Sequence, residues 1–407
     1  MKQKFQVFSL ILIALFQLSN AVNAQIFFKQ HPQINPYQYT IVKEQSFQKA
    51  AVTSAHPLAS MVGAAIMKDG GNAYDAAIAV QFTLAVVYPA AGNIGGGGFL
   101  LSRNKEGVLM GIDFREAAPS KAHRDMYLDE NGNPIDGMSR LGASASGIPG
   151  SVAGMFSTLP FAKMTMKQLL QPAYELAANG FVITESEARS LNAERKNFIT
   201  HSAQASAFTR KENWKAGDTL YQPELAATIL RIQQKGKAGF YEGETADLIV
   251  KEMKNSKGVI SLEDLKNYNP KFRKPIEFDY RGHHIISFAP PSSGGILIAQ
   301  MMQMIAPYPV SVMGANSFES VSLMVEAQRR AYADRAEHMG DPDYWKVPTT
   351  TLTSNAYAQD RMKDYQAGVA GNSKDIQAGV AKESEQTTHF SIIDEAGNMV
   401  AVTTTLN

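Results

Sequence analysis

The chain has 407 residues, of which 44% are hydrophobic and 19% charged, and its 39 basic and 38 acidic side chains leave a net charge of +1. This composition is typical of a folded protein with a large core, and the balanced charge gives no reason to expect nucleic acid or an anionic membrane surface as a partner. Because the sequence contains no cysteine, it excludes disulfides, thiolate metal sites and a cysteine nucleophile. An acyl-transfer nucleophile would therefore have to be a serine or a threonine.

The N-terminal segment, residues 1–24, has the pattern of an export signal. Lys2 and Lys4 give a basic start, residues 5–18 are largely apolar, and a small-residue sequence (VNA) offers a cleavage site after Ala24. The apolar run is too short to span a membrane comfortably, which disfavours a membrane anchor. We therefore expect a protein that is exported to a periplasm or secreted beyond it, without stable membrane insertion.

Two consecutive helices are predicted next. Residues 61–67 show helical spacing, and the Asp-Gly-Gly sequence at 69–71 ends that helix. Asn72 then caps a second helix, with Asp75 at its third position. The small residues of the run 73–85 allow close approach to a neighbour, so we expect this helix in the core.

Two other features near the N-terminus are given no catalytic role. Residues 25–45 are polar and aromatic with little periodicity, and we expect them to lie on the surface. His56 has no second histidine at the spacing of a metal site, so a structural role is favoured.

A glycine-rich segment at 95–98 is followed by Phe99, so it lacks the Lys and Ser/Thr of a phosphate-binding loop. We expect these glycines to let the backbone pass close to another group, with φ angles that other residues resist. Residues 99–103 and 108–114 flank a turn sequence and predict a hairpin. Arg115 closes its second arm. Such an arginine is commonly a solvated charge or an ion pair, and alternatively its planar fork can bind a substrate carboxylate.

The middle of the chain is mainly helical in pattern. A Gly/Pro-rich turn leads into a helix near residue 155, and start and stop signals predict further helices at 165–179, 185–196, 223–235, 245–255, 262–267 and 317–339. Residues 276–288 predict two short strands, in which the adjacent His283 and His284 point to opposite faces and cannot share a metal. The polar stretch 367–385 predicts an exposed flexible loop.

The C-terminal residues predict another hairpin. Residues 391–394 are rich in β-branched side chains, an Asp-Glu-Ala-Gly-Asn turn follows, and residues 399–406 form the returning strand. Thr387 and Thr388 stand where the chain enters this hairpin, and Thr405 lies on its second arm. Threonine is an ordinary strand residue, so these residues alone indicate no more than a Thr-rich hairpin.

Eight short motifs, in one order along the chain, resemble those of the γ-glutamyltransferase (γ-glutamyltranspeptidase) family of N-terminal-nucleophile hydrolases. They are KDGGNAYDAA at 68–77, GGGGF at 95–99, FRE at 114–116, GIPG at 147–150, PSSGG at 291–295, ADR at 333–335, GDP at 340–342 and QTTHFS at 386–391. Each motif alone is weak, whereas the shared order is specific. The resemblance implies an α/β fold, a four-layer αββα sandwich with two stacked antiparallel sheets.

The resemblance also implies a precursor that cleaves itself between Gln386 and Thr387. A large subunit (25–386) and a small subunit that starts with 387–407 would then remain associated as a heterodimer. Family members continue well beyond the position of Asn407, so we expect a C-terminally truncated precursor with an incomplete sandwich. Without the remaining substrate contacts and the oxyanion hole, such a chain would be inactive as it stands.

The residues of the implied site match single positions of this sequence. Thr387 would be the catalytic nucleophile, and Thr405 would form a hydrogen bond with its hydroxyl. Asn407 would contact the γ-glutamyl substrate, and Arg115 would hold the substrate α-carboxylate. No metal or organic cofactor is implied.

The implied reaction is hydrolysis or transfer of γ-glutamyl groups from glutathione and related compounds, through an ester on Thr387. A threonine hydroxyl needs a base, and cleavage before Thr387 creates one, its own α-amine. That amine has a pKa of roughly 7.7–8.0, so an appreciable fraction is neutral near pH 7. In the uncleaved form we expect a strained peptide after Gln386, which the same hydroxyl attacks.

Other activities on the same scaffold remain open. These are a β-lactam side-chain acylase, a poly-γ-glutamate depolymerase, and a non-catalytic binding protein that kept the fold. Arg115 and Asn407 favour a γ-glutamyl donor over an acyl group that lacks an α-carboxylate. Whether water or an amino-acid or peptide acceptor is preferred is not indicated by the sequence.

Overall fold

The fold is given by a computed structural model for residues 26–373, 375–376 and 387–406, which are called the described residues below. The expected export signal, Gln386, Asn407 and the second half of the expected flexible loop at 367–385 lie outside them. The chain forms two compact units. Of the described residues, the first comprises 26–106, 113–271 and 387–406, and the second comprises 107–112, 272–373 and 375–376.

Both units contain several helices. Those of the first unit are α1 Ile26–Gln30, α2 Pro57–Lys68, α3 Ala73–Val87, α4 Ser151–Thr158, α5 Met166–Asn179, α6 Glu185–His201, α7 Pro223–Lys235, α8 Ala238–Tyr241, α9 Glu244–Asn255 and α10 Leu262–Asn267. Those of the second unit are α11 Gly294–Ile305, α12 Phe318–His338, α13 Thr349–Leu352 and α14 Asn355–Arg361. The helices predicted from start and stop signals are confirmed, because each begins and ends within a few residues of its predicted bounds.

The strands are β1 Ala51–Thr53, β2 Gly97–Arg103, β3 Leu109–Asp113, β4 Phe181–Val182, β5 Thr219–Leu220, β6 Lys271–Arg273, β7 Ile276–Tyr280, β8 His283–Ser287, β9 Thr387–Ile393 and β10 Met399–Thr405. One sheet has the strand order β1-β9-β10-β2-β3-β6, and β4-β5 and β7-β8 form two-stranded sheets. The pairs β1–β9, β9–β10 and β10–β2 are antiparallel. In each of the three predicted hairpins, the two strands are neighbours in one sheet (β2-β3, β7-β8 and β9-β10), so these hairpins are confirmed.

Helix α3 forms the core beside the large sheet. All of its residues from Ala73 to Val87 are buried, and it packs against β9 and β10. The buried residues of those strands alternate along the chain, as at Phe390 and Val402. Asn72 and Asp75 form the predicted capping box at the start of the helix. The predicted core position of this small-residue helix is confirmed.

The turn between β9 and β10 is tied to the same helix. The amide of Asp394 donates to the carbonyl of Asn398 (3.0 Å), and Gly397 has a φ of +87°. The carboxylate of Asp394 accepts from the side-chain amide of Asn398 (2.7 Å) and from the backbone amide of Ala73 (3.0 Å). Because Ala73 is the first residue of α3, this carboxylate fixes the hairpin to a helix N-terminus.

The prediction of a surface position for residues 25–45 is wrong for part of this segment. Phe27 and Ile34 are buried, and the amide of Phe27 donates to the buried carboxylate of Glu175 on α5 (2.8 Å). Two isolated apolar residues have no periodicity, so their burial depends on a surface that α5 supplies and the local pattern does not reveal.

The second unit has its own core. Ile276 and Phe278 of β7 pack with Ile296 and Ala299 of α11 and with Leu352. The turn of its hairpin has positive φ angles, at Arg281 and Gly282, as expected for a tight two-residue connection.

The second stacked sheet of the expected sandwich is not formed by the described residues. On the face of the large sheet opposite α3, Ile393 and Met399 are 37% and 44% exposed. Within the described part of the chain, no helix combines the length and the apolar character that a membrane span requires.

Candidate active site

The backbones of Thr387 and Thr405, two of the predicted site residues, lie side by side at one end of the large sheet. Thr405 on β10 lies directly opposite Thr387 on β9 and, on its other side, opposite Gly97 on β2. Neighbouring strands are about 4.8 Å apart, so the backbones of Thr387 and Gly97 are roughly 10 Å from each other. Segments far apart in the sequence thus form one row, which we call the threonine row (Thr387, Thr405 and Gly97).

Arg115 and Glu116 extend this row. Phe114 exchanges two backbone hydrogen bonds with Gly98, at 3.0 and 3.3 Å, which places the next residues beside Gly97. A Cβ atom built on Gly97 would lie 2.6 Å from the amide nitrogen and from a carboxylate oxygen of Glu116. The predicted arginine therefore lies next to the threonine row.

The backbone of Arg115 is fixed while its side chain is exposed. Its amide donates to the carboxylate of Asp113 (3.1 Å), and its carbonyl accepts from the phenol of Tyr268 (2.7 Å). Burial raises the pKa of Tyr268, so this phenol stays a hydrogen-bond donor at any working pH. An exposed guanidinium on a fixed backbone is suited to binding a carboxylate from solution.

Glu116 is the other ionisable group beside Gly97. Burial raises the pKa of its carboxyl, and the nearby Arg115 charge and the Gly97 amide offset part of that increase. Burial has the larger effect, because a partly buried carboxylate loses hydration that one exposed cation replaces incompletely.

The glycine-rich loop lies against the end of β10. Cβ atoms built on Gly96 and Gly98 would be 2.2 Å from the carbonyl oxygens of Thr405 and Thr403, respectively. The predicted close approach is therefore confirmed. The accompanying expectation of unusual φ angles is wrong, because none of the four glycines at 95–98 has a positive φ. Glycine is needed at positions 96 and 98 because any side chain there would collide with a carbonyl oxygen of β10.

Three predicted interactions concern groups outside the described part of the site. Gln386 and Asn407 are not among the described residues, and Thr387 is described by its backbone alone. The hydroxyl of Thr405 donates to the carbonyl of Leu406 (2.9 Å). The expected hydrogen bond between the Thr405 and Thr387 hydroxyls stays a prediction.

Sequence reasoning missed the side chain that holds the end of β10. Asn93 is 5% exposed, and its amide nitrogen donates to the Thr405 carbonyl and to the Thr404 hydroxyl, both at 3.0 Å. Its amide oxygen accepts from the backbone amide of Gly96 (2.9 Å). An asparagine among glycines resembles an ordinary turn residue, and only the strand pairing reveals this contact.

His56 has the structural role that the sequence favoured. Its Nδ1 accepts from the amide of Leu58 (3.2 Å) at the start of α2, and its Nε2 lies 3.0 Å from the carboxylate of Glu187. Among the described residues, no group of three or more His, Asp or Glu side chains could hold a metal ion.

Comparison with known proteins gives one consistent family. The profile of the family described as gamma-glutamyltranspeptidase matches residues 59–407. A glutathione hydrolase proenzyme from Escherichia coli strain K12 is 43% identical over 365 residues, which is 88% of this chain and 63% of that protein. The crystal structure of Helicobacter pylori γ-glutamyltranspeptidase superposes with a TM-score of 0.78 and 40% identity, covering 85% of this chain and 99% of that chain.

A third relative has a different name. The acylase ACY 1 proenzyme from Pseudomonas sp. strain V22 is 35% identical over 381 residues, which is 90% of this chain and 66% of that protein. The chain thus spans about two thirds of the length of the curated relatives that it matches.

Proposed function

Because this chain belongs to the γ-glutamyltranspeptidase family, with its four-layer αββα N-terminal-nucleophile hydrolase fold, we propose that the protein cleaves itself between Gln386 and Thr387 and then transfers or hydrolyses γ-glutamyl groups. The observation that supports this most is the threonine row with Arg115 beside it. A nucleophile, its neighbouring hydroxyl and a carboxylate-binding cation are three of the groups that the reaction needs.

The proposed reaction has two steps on Thr387. The freed α-amine takes the proton of the hydroxyl, the oxygen attacks the γ-amide carbonyl, and the amine product leaves with that proton. Water or an amino-acid or peptide amine then attacks the γ-glutamyl ester, and the threonine is regenerated. Thr405 would orient the hydroxyl, and Asn407 would contact the substrate.

Arg115 would bind the α-carboxylate of the γ-glutamyl group. Its guanidinium is exposed, and its backbone N–H and C=O are held by Asp113 and Tyr268, respectively. A planar fork can make two parallel hydrogen bonds with a carboxylate, which fixes orientation as well as affinity. Glutathione and other γ-glutamyl compounds carry that carboxylate, so we propose them as the substrates.

The two pieces are proposed to stay together as a heterodimer of a large subunit, 25–386, and a small subunit that begins at Thr387. In the strand order, β9 and β10 stand between β1 and β2. After cleavage, the hairpin would therefore remain hydrogen-bonded on both sides to strands of the large subunit. We also propose export, with a signal removed after Ala24.

An acylase is the second candidate, because the Pseudomonas acylase is 35% identical to this chain. Arg115 discriminates between the two. A γ-glutamyl donor presents an α-carboxylate to this cation, whereas an acyl group without one would leave the guanidinium with no partner in the substrate.

The test is intact mass spectrometry of the expressed full-length protein. We expect two fragments, the second starting at Thr387, in the wild type and in the neighbouring control Thr388→Val. Thr387→Ala should give one uncleaved chain without activity. A wild type that consumes γ-glutamyl compounds as one unbroken chain would contradict the proposal.

Arg115 gives the test of substrate class. Arg115→Ala should raise KM for glutathione by about 100-fold, since a charged hydrogen-bonded pair is lost, whereas the exposed control Arg124→Ala should leave it unchanged. An unchanged KM in Arg115→Ala, with measurable activity on acyl compounds that lack the α-carboxylate, would favour the acylase.

A further inference from the structure

We propose that Asn93 is a positioning residue for self-cleavage and for the ester-forming step, acting through the backbone of Thr405. This inference rests on the proposed function, because it assigns Asn93 the task of holding Thr405 in register with Thr387. Asn93 lies behind the threonine row and takes part in no chemical step itself.

The contacts of Asn93 converge on the end of β10. Its amide nitrogen donates to the carbonyl of Thr405 and to the hydroxyl of Thr404, both at 3.0 Å, and lies 3.1 Å from the carbonyl of Ala91. Its amide oxygen accepts from the amide of Gly96 (2.9 Å) and from the hydroxyl of Ser151 (2.7 Å). Donors and acceptors are thus all engaged, so the side chain has one orientation.

The surroundings leave the Thr405 peptide little room to move. Its carbonyl lies 2.2 Å from where a Cβ of Gly96 would stand, so the loop backbone passes directly beside it. The carbonyl of Gly96 in turn accepts from the amides of Gly150 and Ser151, at 2.7 and 3.0 Å. The side chain of Asn93 joins this loop directly to the Thr405 carbonyl.

A second buried amide supports the same strand end. Gln81 on α3 is 1% exposed, and its Nε2 donates to the carbonyl of Asn93 (3.0 Å) and to the hydroxyl of Thr404 (3.3 Å). That hydroxyl donates to the carbonyl of Gly97 (2.8 Å). The network therefore connects β10 to β2 at the level of the threonine row and links both to the core helix.

Replacing Asn93 by Asp exchanges the hydrogen-bond donor of this side chain for an acceptor and keeps its shape. An aspartate at position 93 keeps the oxygen that accepts from Gly96 and Ser151 but places a second oxygen against the carbonyls of Thr405 and Ala91. Two oxygens at hydrogen-bond distance repel each other unless one carries a proton. Protonation of the new carboxyl would restore one donor, so the defect should depend on pH.

The experiment measures the first-order rate of self-cleavage of the full-length precursor, well below its melting temperature, from pH 5 to 8. At pH 7.5 we expect Asn93→Asp to cleave about tenfold or more slowly than the wild type, because small misplacements of reacting groups are costly. Its rate relative to the wild type should recover as the pH falls. For the cleaved fraction, kcat on a chromogenic γ-glutamyl anilide should fall while KM changes less than about twofold.

Two further variants separate positioning from stability. Gln222→Glu makes the same amide-to-carboxyl change at a buried residue whose amide bonds the Val86 carbonyl (2.7 Å), so it should lower stability without slowing cleavage. Ser151→Ala removes one partner of Asn93 in a milder way, and we expect cleavage about threefold slower. It serves as the readout if Asn93→Asp fails to fold.

The outcomes are distinct. If the wild type cleaves and Asn93→Asp cleaves equally fast, the positioning role alone is overturned. If Asn93→Asp does not fold, equally fast cleavage in Ser151→Ala has the same meaning. The role would also be overturned if the cleavage defect of Asn93→Asp did not depend on pH and if Gln222→Glu slowed cleavage to the same extent for the same loss of melting temperature. A wild type that never cleaves would refute the proposed function and this inference with it.

Discussion

The phenol of Tyr268 donates a 2.7 Å hydrogen bond to the carbonyl of Arg115, the residue whose side chain is exposed beside the threonine row. The same ring stacks on Tyr241, with centroids 6.0 Å apart and planes 5° from parallel. Arg115 therefore takes its position from a buried aromatic pair that is more than a hundred residues away in the sequence.

Replacing Tyr268 by Phe should weaken substrate binding more than turnover. The guanidinium stays, but the backbone of Arg115 loses one of its two side-chain hydrogen bonds. The cost is about 1 kcal/mol, which corresponds to roughly a fivefold increase in KM. Steady-state kinetics with a γ-glutamyl donor measure this, and kcat should change less than about twofold.

Tyr241→Phe is the matched control for that prediction. The Tyr241 phenol donates to the carbonyl of Pro149 (2.8 Å) and accepts from the amide of Ala153 (3.2 Å), so its loss removes buried hydrogen bonds without removing the contact with Arg115. Tyr241→Phe should lower the melting temperature at least as much as Tyr268→Phe does, and only Tyr268→Phe should raise KM. Equal KM values in the two variants would show that Tyr268 does not position Arg115.

Thr388 and Thr404 form a directly opposed pair on β9 and β10, and their hydroxyls differ in hydrogen bonding. Both residues are buried, at 4% and 0% exposed. The Thr404 hydroxyl donates to Gly97 and accepts from Asn93, whereas that of Thr388 has no hydrogen-bond partner among the described residues. Valine has the same shape as threonine, so it removes the hydroxyl alone.

Thr404→Val should therefore lower the free energy of unfolding by about 1–2 kcal/mol, because the carbonyl of Gly97 loses a donor and the side-chain amides of Asn93 and Gln81 each lose one of their acceptors. Thr388→Val should leave that free energy unchanged or raise it by about 1 kcal/mol, because a buried unpaired hydroxyl is lost. Urea unfolding in a Thr387→Ala background keeps both variants uncleaved. The reverse order of stability would contradict the described network.

The sequence predicted the elements well and their interactions less well. The bounds of α3, with its Asn72–Asp75 capping box, follow from local chemistry and are confirmed. The roles of Asn93 and Tyr268 depend on which distant segments pack beside them in the fold. The sequence around a turn asparagine or a single tyrosine has no distinctive pattern that would reveal this. The role expected for Thr405 came only from the family resemblance, and the residues alone left Arg115 as either a solvated charge or a carboxylate-binding fork, since hydroxyl and guanidinium groups at strand ends are common on any protein.

Asp394 and Glu395 are adjacent acidic residues that should differ strongly in their effect on stability. The Asp394 carboxylate accepts from the amide of Ala73 and from both nitrogens of Asn398, at 2.7–3.0 Å. Asp394→Ala should lower the free energy of unfolding by about 2–4 kcal/mol, because a buried helix N-terminus loses its acceptor. Thermal unfolding of purified protein measures the difference.

Glu395 provides the internal control. It pairs with Lys49 at 3.0 Å, but the two side chains are 70% and 77% exposed. Such an ion pair is screened by water and salt, so Glu395→Ala should change stability by less than about 0.5 kcal/mol. Comparable losses in the two variants would mean that charge on the turn, rather than the contact with Ala73, stabilises the hairpin.

His284 on β8 should make part of the stability of the second unit depend on pH. Its Nδ1 lies 2.9 Å from the Asp279 carboxylate and its Nε2 lies 3.1 Å from that of Glu277. Hydrogen bonding to Asp279, and then to Glu277, raises the pKa of this exposed histidine above its ordinary value. The folded state therefore holds the proton more tightly than the unfolded state, whose histidine pKa is about 6.5.

The sign of the pH effect follows from that difference. The stabilisation is fully present below about pH 6.5 and is lost as the pH rises through the folded pKa. NMR titration should show an elevated His284 pKa, and Asp279→Asn should lower it more than Glu277→Gln, because the contact with Asp279 has the larger effect. An unshifted titration, or an equal response to both substitutions, would mean that the exposed ring is fully solvated and contacts neither carboxylate for long.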